Sequence, residues 1–260
     1  MPIPSPLVID DAGARTLLWE GCVNVRDLGG IPTEDGGATR LGQIVRSDNV
    51  GRLTDAGWKA LERHGVARIV DLRWPEEIAD DPPRSVDVEV VHISVLGPSI
   101  DEELDYLRSL DAHIDAVDDV AEHYAFSYVD FLERNRDRFG RALAAVADAP
   151  GPVVIHCMGG KDRTGLVAAL LLRLAGVAID EIGRDYSLSA SNLAVTLDGW
   201  LDSAPNELER RRREKLSQTP AIAMTRVIAD VERRYGSVQG YLVAAGVQPV
   251  QIDRLRGRLR

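Results

Sequence analysis

The sequence predicts an α/β protein in which a central, mainly parallel sheet of four or five strands is flanked by helices. Short runs of apolar and β-branched residues recur between residues 17 and 155, and longer segments with helical periodicity separate them. Glycine or proline bounds most of these runs. Strands that alternate with helices usually pair in parallel, because each helix returns the chain to the same end of the sheet.

The N-terminal elements are predicted to be short. Residues 1–14 contain three closely spaced prolines, which block regular structure, so a flexible arm is expected there. Residues 17–20 and 22–26 are predicted as the two strands of an entry hairpin. The overlapping stretch at residues 24–30 reads NVRDLGG and ends in a glycine pair typical of a turn.

Strands and helices then alternate. Residues 43–46, 67–72 and 88–93 are predicted strands. Residues 54–64 begin with a threonine suited to cap a helix and are followed by glycine, so we expect a helix there. Residues 74–80 enter through proline and are predicted as a short helix.

The rest of the chain is predicted to be mostly helical. Three helical stretches fill residues 100–149, and a buried strand follows at residues 153–155. A helix beginning near Arg163 is expected to end at Gly176, which suits a left-handed C-terminal cap. Beyond it we expect helices over residues 179–190, 193–218, 219–235, 237–246 and 248–259, with the first two separated at Ser191 and Asn192. Thr219 is predicted to cap the third of these helices, with Pro220 at its first position.

The link between the strand at residues 153–155 and the next helix is the strongest candidate site. Residues 156–165 read HCMGGKDRTG, and glycines let such a loop aim several backbone N–H groups at one phosphate. Cys157 at the base of this loop is expected to be a thiolate, the nucleophilic form of cysteine. The planar guanidinium of Arg163 suits the equatorial oxygens of a transferring phosphoryl group.

Cys157 and Arg163, separated by five residues, with a histidine before the cysteine and Thr164-Gly165 after the arginine, resemble the signature loop of the cysteine-dependent protein tyrosine phosphatase superfamily. With NVRDLGG, the string resembles the bacterial tyrosine/serine phosphatase branch. The resemblance implies one phosphatase domain over residues 15–260 with a protein tyrosine phosphatase-like fold. It also implies that Cys157 is the nucleophile, that Arg163 clamps the phosphate and that Thr164 steadies the thiolate.

The remaining site residues follow from the same resemblance. Phosphate binding is assigned to the loop residues Met158, Gly159, Gly160, Lys161, Asp162 and Arg163. Supporting roles fall to His156, Thr164, Arg26 and Asp27. Arg26 and Asp27 are expected to anchor the signature loop; the alternative is an ion pair at the surface beside a turn.

Cleavage of a phosphate ester also needs a proton for the leaving oxygen. Most relatives in the superfamily place this acid in a Trp-Pro-Asp loop, whereas this chain has Trp-Pro-Glu at residues 74–76. Asp71 is the first choice, because its Asp-Leu-Arg sequence matches the branch and ligands gather at the carboxyl ends of strands in such sheets. Asp162 is the second choice, and Glu76 and Asp80 follow. The alternative role for Asp71 is to orient an arginine.

Composition limits the class of protein. A net charge of −10 argues against a nucleic-acid partner, which would require a basic surface. The two cysteines, Cys22 and Cys157, form neither a disulfide framework nor a zinc motif. The N-terminal stretch lacks the features of a secretory signal, and no apolar run is long enough to span a membrane. These observations predict a cytoplasmic enzyme.

Residues 191–235 have three possible roles by sequence alone. In the resembled branch, a helical pair in this region folds over the active site as a lid. The alternative is a solvated, salt-bridged helix, because glutamates lie at helical spacing from the arginines at 210–213. A third option is contact between those arginines and phosphoinositide headgroups on a membrane.

The predicted function is hydrolysis of phosphate monoesters through a phosphocysteine, with no cofactor and no metal. Phosphotyrosine is the first expected substrate, and phosphoserine, phosphothreonine and phosphoinositides are implied by the branch, in which Lys161 matches a lysine linked with phosphoinositide activity. Two alternatives stay open. One is an inactive module that binds phosphorylated ligands, and the other is a thiol redox protein or arsenate reductase with Cys22 as the resolving thiol.

Overall fold

The computed structural model describes residues 15–82 and 87–260, so the predicted N-terminal arm lies outside the described residues. A five-stranded sheet with the order β1-β2-β5-β3-β4 lies at the centre. Its strands are Arg26–Asp27 (β1), Ile44–Ser47 (β2), Arg68–Asp71 (β3), Glu89–His92 (β4) and Val153–His156 (β5). The β1–β2 pair is antiparallel and the other three pairs are parallel. The predicted mainly parallel sheet is confirmed.

Helices flank both faces of this sheet. In chain order they are Asp55–Arg63 (α1), Pro75–Asp80 (α2), Ile100–Ala116 (α3), Val120–Arg134 (α4), Arg136–Ala147 (α5), Asp162–Leu174 (α6), Ile179–Asp202 (α7), Glu207–Leu216 (α8), Ala221–Tyr235 (α9), Val238–Ala244 (α10) and Pro249–Leu259 (α11). Among the described helices, none combines the length and the mean hydropathy needed to cross a membrane.

The alternation of side chains along the strands gives the sheet two apolar faces. Val45, Ile69 and Val154 pack with Trp58 and Leu61 of α1 on one face. The neighbouring residues of the same strands point to the larger core on the other face, where α6 lies. Every residue of α6 is buried except Asp162 and Arg173. This burial holds the N-terminus of α6 firmly at the edge of the sheet where β5 ends.

Three local predictions are wrong. The predicted entry hairpin is reduced to one antiparallel bridge between Thr16 and Arg26, beside which the N–H of Leu17 donates to the carbonyl of Val25. The residues between form turns instead of strands: the N–H of Trp19 donates to the carbonyl of Leu17 and that of Cys22 to the carbonyl of Trp19. The first continuous ladder in this region is the pairing of the short β1 with β2. Extended strands would need those groups for pairing with a neighbour.

Ser191 and Asn192 do not end a helix, and α7 continues to Asp202. The Ser191 hydroxyl donates back to the carbonyl of Leu188 within the helix, and the Asn192 amide donates to Asn24. Both side chains therefore find partners without breaking the helical backbone.

Thr219 does not cap α9, whose N-cap is Pro220. The Thr219 hydroxyl instead accepts from the N–H of Ala190 and donates to the carbonyl of Ser187. It therefore ties the start of α9 to the middle of α7.

Candidate active site

The signature loop, residues 156–165, lies where β5 ends, with β2 and β3 paired to either side of that strand. Gly160 is the position at which glycine is required, because its φ of +64° is left-handed. A Cβ atom there would also lie 2.4 Å from the carbonyl oxygen of Ser47. The loop thus turns tightly against the end of β2 before α6 begins.

Three successive carbonyl groups of this loop are held from outside. The carbonyl of Met158 accepts from the backbone N–H of Asn49 at 3.1 Å. The carbonyl of Gly159 accepts from the side-chain amide of Asn24 at 2.9 Å, and that of Gly160 from a guanidinium nitrogen of Arg46 at 2.7 Å. These contacts fix the orientation of the peptide groups. With the carbonyl groups turned outward, the N–H groups are left for the concave side of the loop.

The N–H groups of residues 158–163 donate to no acceptor within the described part of the chain. Unpaired backbone donors at a tight loop and at the N-terminus of a long helix form an anion site, because the donors converge and the helix dipole adds positive potential. We call these N–H groups the amide cradle. Cys157, buried to 2% exposure, lies at its start.

The residues on either side of the cradle are buried. His156 is 1% exposed, and its Nδ1 lies 3.3 Å from the carbonyl oxygen of Cys157. Burial lowers the pKa of His156 and outweighs the opposing effect of Asp71, so its imidazole is neutral at pH 7. The Thr164 hydroxyl is buried without a hydrogen-bond partner among the described residues, so its predicted role toward the thiolate stays a prediction.

Arg163 is held in place by Glu77, a residue that the sequence did not single out. Both terminal nitrogens of the guanidinium donate to the two carboxylate oxygens of Glu77, one of them at 2.8 Å. The guanidinium also lies 5.0 Å above the ring of Trp74. Burial alone would raise the pKa of Glu77, but Arg163 outweighs that cost and lowers it. Bidentate pairing of this kind fixes the plane of the guanidinium.

A signal for Glu77 exists in the sequence. Its carboxylate accepts from the N–H of Trp74 at 2.8 Å at the start of α2, which is the glutamate half of a capping box; the Trp74 side chain makes no cap hydrogen bond. A glutamate three positions after the residue that precedes a helix is typical of that motif. The capping position could be predicted, whereas its contact with Arg163 could not.

Lys161 and Asp162 form a polar cluster with two tyrosines of α4. The Lys161 ammonium donates to Tyr124 at 2.7 Å and to the carbonyl of Leu216, the last residue of α8. Burial would lower the pKa of Lys161, but Asp162 and Tyr124 outweigh it and raise the pKa, so the ammonium stays charged. The Tyr128 hydroxyl donates to Asp162 Oδ1, whose side chain remains 40% exposed.

Asp71, the first choice for the acid, does not face the cradle. It is 1% exposed, and both carboxylate oxygens accept from the guanidinium of Arg73, at 2.8–3.1 Å. Burial alone would raise the pKa of Asp71, but His156 and Arg73 outweigh it and lower the pKa. A proton donor needs the opposite shift. The geometry therefore argues against the acid role of Asp71 and favours the alternative, a carboxylate that orients an arginine.

Arg26 and Asp27 are both buried, so the alternative of a surface ion pair is wrong. Asp27 accepts from the N–H groups of Gly29 and Gly42 and does not contact the signature loop. Arg26 supports the loop indirectly, through Asn24. It donates to Asn24, which holds the carbonyl of Gly159.

A second unforeseen carboxylate, Asp185 of α7, joins Arg26 to Arg46. It accepts from Arg26 at 3.1 Å, from Arg46 at 2.7 Å and from Arg15 at 3.0 Å. Burial would raise the pKa of Asp185, but the three guanidinium groups lower it well below its usual range. Through Arg46, which holds the carbonyl of Gly160, α7 supports the back of the signature loop. Asp185 lies on the buried face of α7, and an acidic residue in an apolar stripe is the only sequence signal for it.

Two recesses open beside the loop. The α7 pocket, of about 430 Å³, lies between the signature loop and the outer half of α7. The α3 pocket, of about 550 Å³, lies between the loop, α3 and α4. Both are bordered by Lys161, Asp162, Trp200 and Leu216. The outer half of α7 and the end of α8 thus lie over the loop, whereas α9, also within the predicted lid segment, is packed in the core.

Cys22, the candidate resolving thiol, donates a hydrogen bond to a backbone carbonyl. Its Sγ lies 3.3 Å from the carbonyl oxygen of Asn49, to which it donates. Burial raises the pKa of Cys22 far above its usual value, and Asp48 adds to that shift. A thiol held in its protonated form is a poor nucleophile for disulfide exchange.

Comparison with known proteins gives a consistent result. The sequence model of a family described as "Tyrosine phosphatase family" matches residues 17–260. A tyrosine-protein phosphatase of Nostoc commune is 30% identical over an alignment of 234 positions, which covers 83% of this chain and 74% of that protein. The triple specificity protein phosphatase PtpB of Mycobacterium tuberculosis is 28% identical over an alignment of 276 positions, which covers 92% of this chain and 97% of that protein.

Proposed function

The chain belongs to the tyrosine phosphatase family and is a protein-tyrosine phosphatase, and we propose that it works through a phosphocysteine formed on Cys157. The observation that carries this proposal is the amide cradle beside Cys157, with Arg163 fixed by Glu77 at its end. The cradle and the guanidinium supply donors for the three equatorial oxygens of a phosphoryl group. Such preorganised donors account for most of the rate enhancement in phosphoryl transfer.

In the first step, the Cys157 thiolate attacks phosphorus and the bond between phosphorus and the leaving oxygen breaks. The leaving oxygen takes a proton from Asp162. We assign this role to Asp162 because its side chain is partly exposed and borders both recesses, where a substrate enters. The hydroxyl of Tyr128 donates to one carboxylate oxygen, so the other oxygen can carry the proton toward the substrate.

In the second step, a water molecule attacks the phosphorus of the phosphocysteine. Asp162, now a carboxylate, takes a proton from this water, and the bond between phosphorus and sulfur breaks. Cys157 leaves as the thiolate, which the cradle stabilises, and inorganic phosphate is released. The same carboxyl group therefore serves as acid and then as base.

The substrate is a phosphorylated molecule, and we propose phosphotyrosine in proteins as the principal one. Phosphoserine, phosphothreonine and phosphoinositides are the broader candidates. The name of the mycobacterial relative describes three specificities, and Lys161 adds a second cation at the same loop.

We propose that the outer half of α7 and α8 act together as a lid. The Lys161 ammonium and the Tyr124 hydroxyl both donate to the carbonyl of Leu216, so two side chains beside the site hold the end of α8. Trp200 lies at the rim of both recesses and is 41% exposed. Saturating tungstate, a phosphate-like oxyanion, is expected to change the tryptophan fluorescence of the wild type. The Trp200→Phe variant should lose that change; if it keeps it, Trp200 does not report a lid movement.

The nucleophile is tested with the two cysteines as a matched pair. We expect the wild type and Cys22→Ser to hydrolyse p-nitrophenyl phosphate without added metal, and Cys157→Ser to lose turnover while it still binds tungstate. Turnover in Cys157→Ser would refute the covalent mechanism. If tungstate binds to all three proteins and none turns over, the chain is an inactive module that binds phosphorylated ligands.

A further inference from the structure

The α3 pocket is a second recess at the signature loop, and the two-step mechanism assigns no part of the substrate to it. Its walls are mostly apolar and include Leu104 and Leu107 of α3 and Phe131 of α4. Its base reaches Asp162 and Arg163, the proposed acid and the phosphate clamp. A pocket that combines an apolar wall with a few converging polar groups is the usual form of a ligand site.

The two recesses meet at the same catalytic residues from different sides. The α7 pocket lies against Met158 and Gly159 of the cradle, and the α3 pocket lies against Arg163. Asp162 borders both. A phosphorylated side chain whose phosphate rests in the cradle can enter through only one of them. A second apolar group of the same substrate molecule can then occupy the other.

We propose that the α7 pocket takes the phosphotyrosyl ring and that the α3 pocket takes a large apolar side chain next to it in a peptide substrate. This inference rests on the proposed function and names its substrate class more narrowly. The ring is assigned to the α7 pocket because that recess opens onto the amides of the cradle. The apolar side chain next to the phosphotyrosine in the peptide is assigned to the α3 pocket, because apolar side chains of α3 and α4 line that pocket.

Charge favours a peptide over a lipid as the occupant. The outer wall of the pocket is α3, whose sequence IDEELDYLRSLDAHIDA contains six carboxylates and one arginine. Arg212 of α8 pairs with Asp111 and Asp115, but the helix keeps an excess of negative charge. An anionic membrane surface would be repelled by this wall and by the net charge of −10. A neutral or basic peptide meets no such repulsion.

The test compares two phosphotyrosine peptides of the same length that differ only at the residues flanking the phosphotyrosine, which are phenylalanine in one and glycine in the other. The readout is the ratio of kcat/KM for the two peptides, which cancels any general loss of activity. We expect the wild type to prefer the phenylalanine peptide by about tenfold, because burying such a side chain discriminates by at least that factor. Leu104→Ala and Leu107→Ala should reduce the preference to about threefold or less.

Leu18→Ala is the matched control, because Leu18 lies outside the proposed lid, is 52% exposed and lines neither recess. It should keep the tenfold ratio. A wild-type ratio near one, with p-nitrophenyl phosphate still hydrolysed, would overturn this inference and leave the proposed function intact. Equal reductions in Leu107→Ala and Leu18→Ala would overturn it as well.

Two further outcomes separate the remaining explanations. If Leu107→Ala lowers turnover of a phosphatidylinositol phosphate in vesicles and leaves the peptide ratio unchanged, the pocket takes an acyl chain and the peptide proposal is wrong. If the wild type hydrolyses neither p-nitrophenyl phosphate nor the peptides, the proposed function fails and this inference fails with it.

Discussion

Replacement of Asp185 by asparagine is expected to destabilise the protein strongly. Asp185 accepts hydrogen bonds from Arg15, Arg26 and Arg46 at 2.7–3.1 Å, and the carboxylate and the three guanidinium groups are all almost fully buried. Asparagine keeps the shape of the side chain and removes its charge. Arg26 and Arg46 would then lose the carboxylate that balances their charge in a region from which water is excluded.

The cost of breaking a buried ion pair by removing one partner is about 3–5 kcal/mol, and we expect about 3 kcal/mol here because the asparagine oxygen still accepts one hydrogen bond. Urea unfolding measures it. With a slope of about 3 kcal/mol per molar urea, the midpoint should fall by about 1 M. The KM for an aryl phosphate should also rise, because Arg46 would hold the carbonyl of Gly160 less firmly.

Asp230→Asn is the control for this experiment. Asp230 also pairs with two arginines, Arg233 and Arg234, but those side chains are 67% and 43% exposed. Exposed pairs contribute at most about 1 kcal/mol. If Asp185→Asn and Asp230→Asn lower the free energy of unfolding by the same small amount, the buried cluster does not stabilise the fold as argued.

Three other predictions concern Asp185, Glu77 and Cys22. The pKa of Asp185 is lowered in the folded state, so its ionisation stabilises the fold above its unfolded pKa of about 3.9 and loses that effect as pH falls. The difference in unfolding free energy between wild type and Asp185→Asn should therefore shrink below about pH 4. A difference that is independent of pH would contradict this. Glu77→Gln should weaken tungstate binding and lower kcat/KM about tenfold, because the guanidinium of Arg163 would be held less firmly. Glu76→Gln, at the adjacent position, is the control; equal effects in the two variants would argue that Glu77 does not position Arg163. Mild peroxide should form no disulfide between Cys22 and Cys157, because the raised pKa of Cys22 keeps its thiol protonated; such a disulfide in a peptide map would restore the redox alternative.

The parts of the site that could be predicted from sequence are those encoded in one contiguous stretch. The signature loop is framed by β5 and α6, both recognisable by local periodicity, so the positions of Cys157 and Arg163 in the fold follow from the sequence alone. The left-handed glycine that ends α6, Gly176, follows from the same local logic and has φ +85°. The parallel order of the central strands follows from their alternation with helices.

The parts that could not be predicted depend on contacts between distant residues. Glu77 lies 86 positions from Arg163, and Asp185 lies 159 positions from Arg26. No local pattern identifies such partners. The contacts that argue against Asp71 as the acid are hidden for a similar reason: Asp71 does lie at the end of β3, but its pairing with Arg73 through both carboxylate oxygens appears only in the structure. In the continuous α7, a hydrogen bond within the helix accommodates Ser191, and a tertiary hydrogen bond to Asn24 accommodates Asn192, so neither residue ends the helix.

The most direct test of the mechanism is to trap the phosphocysteine. With p-nitrophenyl phosphate, whose leaving group needs little protonation, Asp162→Asn should still complete the first step but hydrolyse the intermediate slowly, because the base is missing. Acid quench and mass spectrometry of the digested protein should then find one phosphoryl group on Cys157 in Asp162→Asn and none in Cys157→Ser. Accumulation in Asp71→Asn instead, or no adduct on Cys157 in any variant that turns over, would contradict the mechanism.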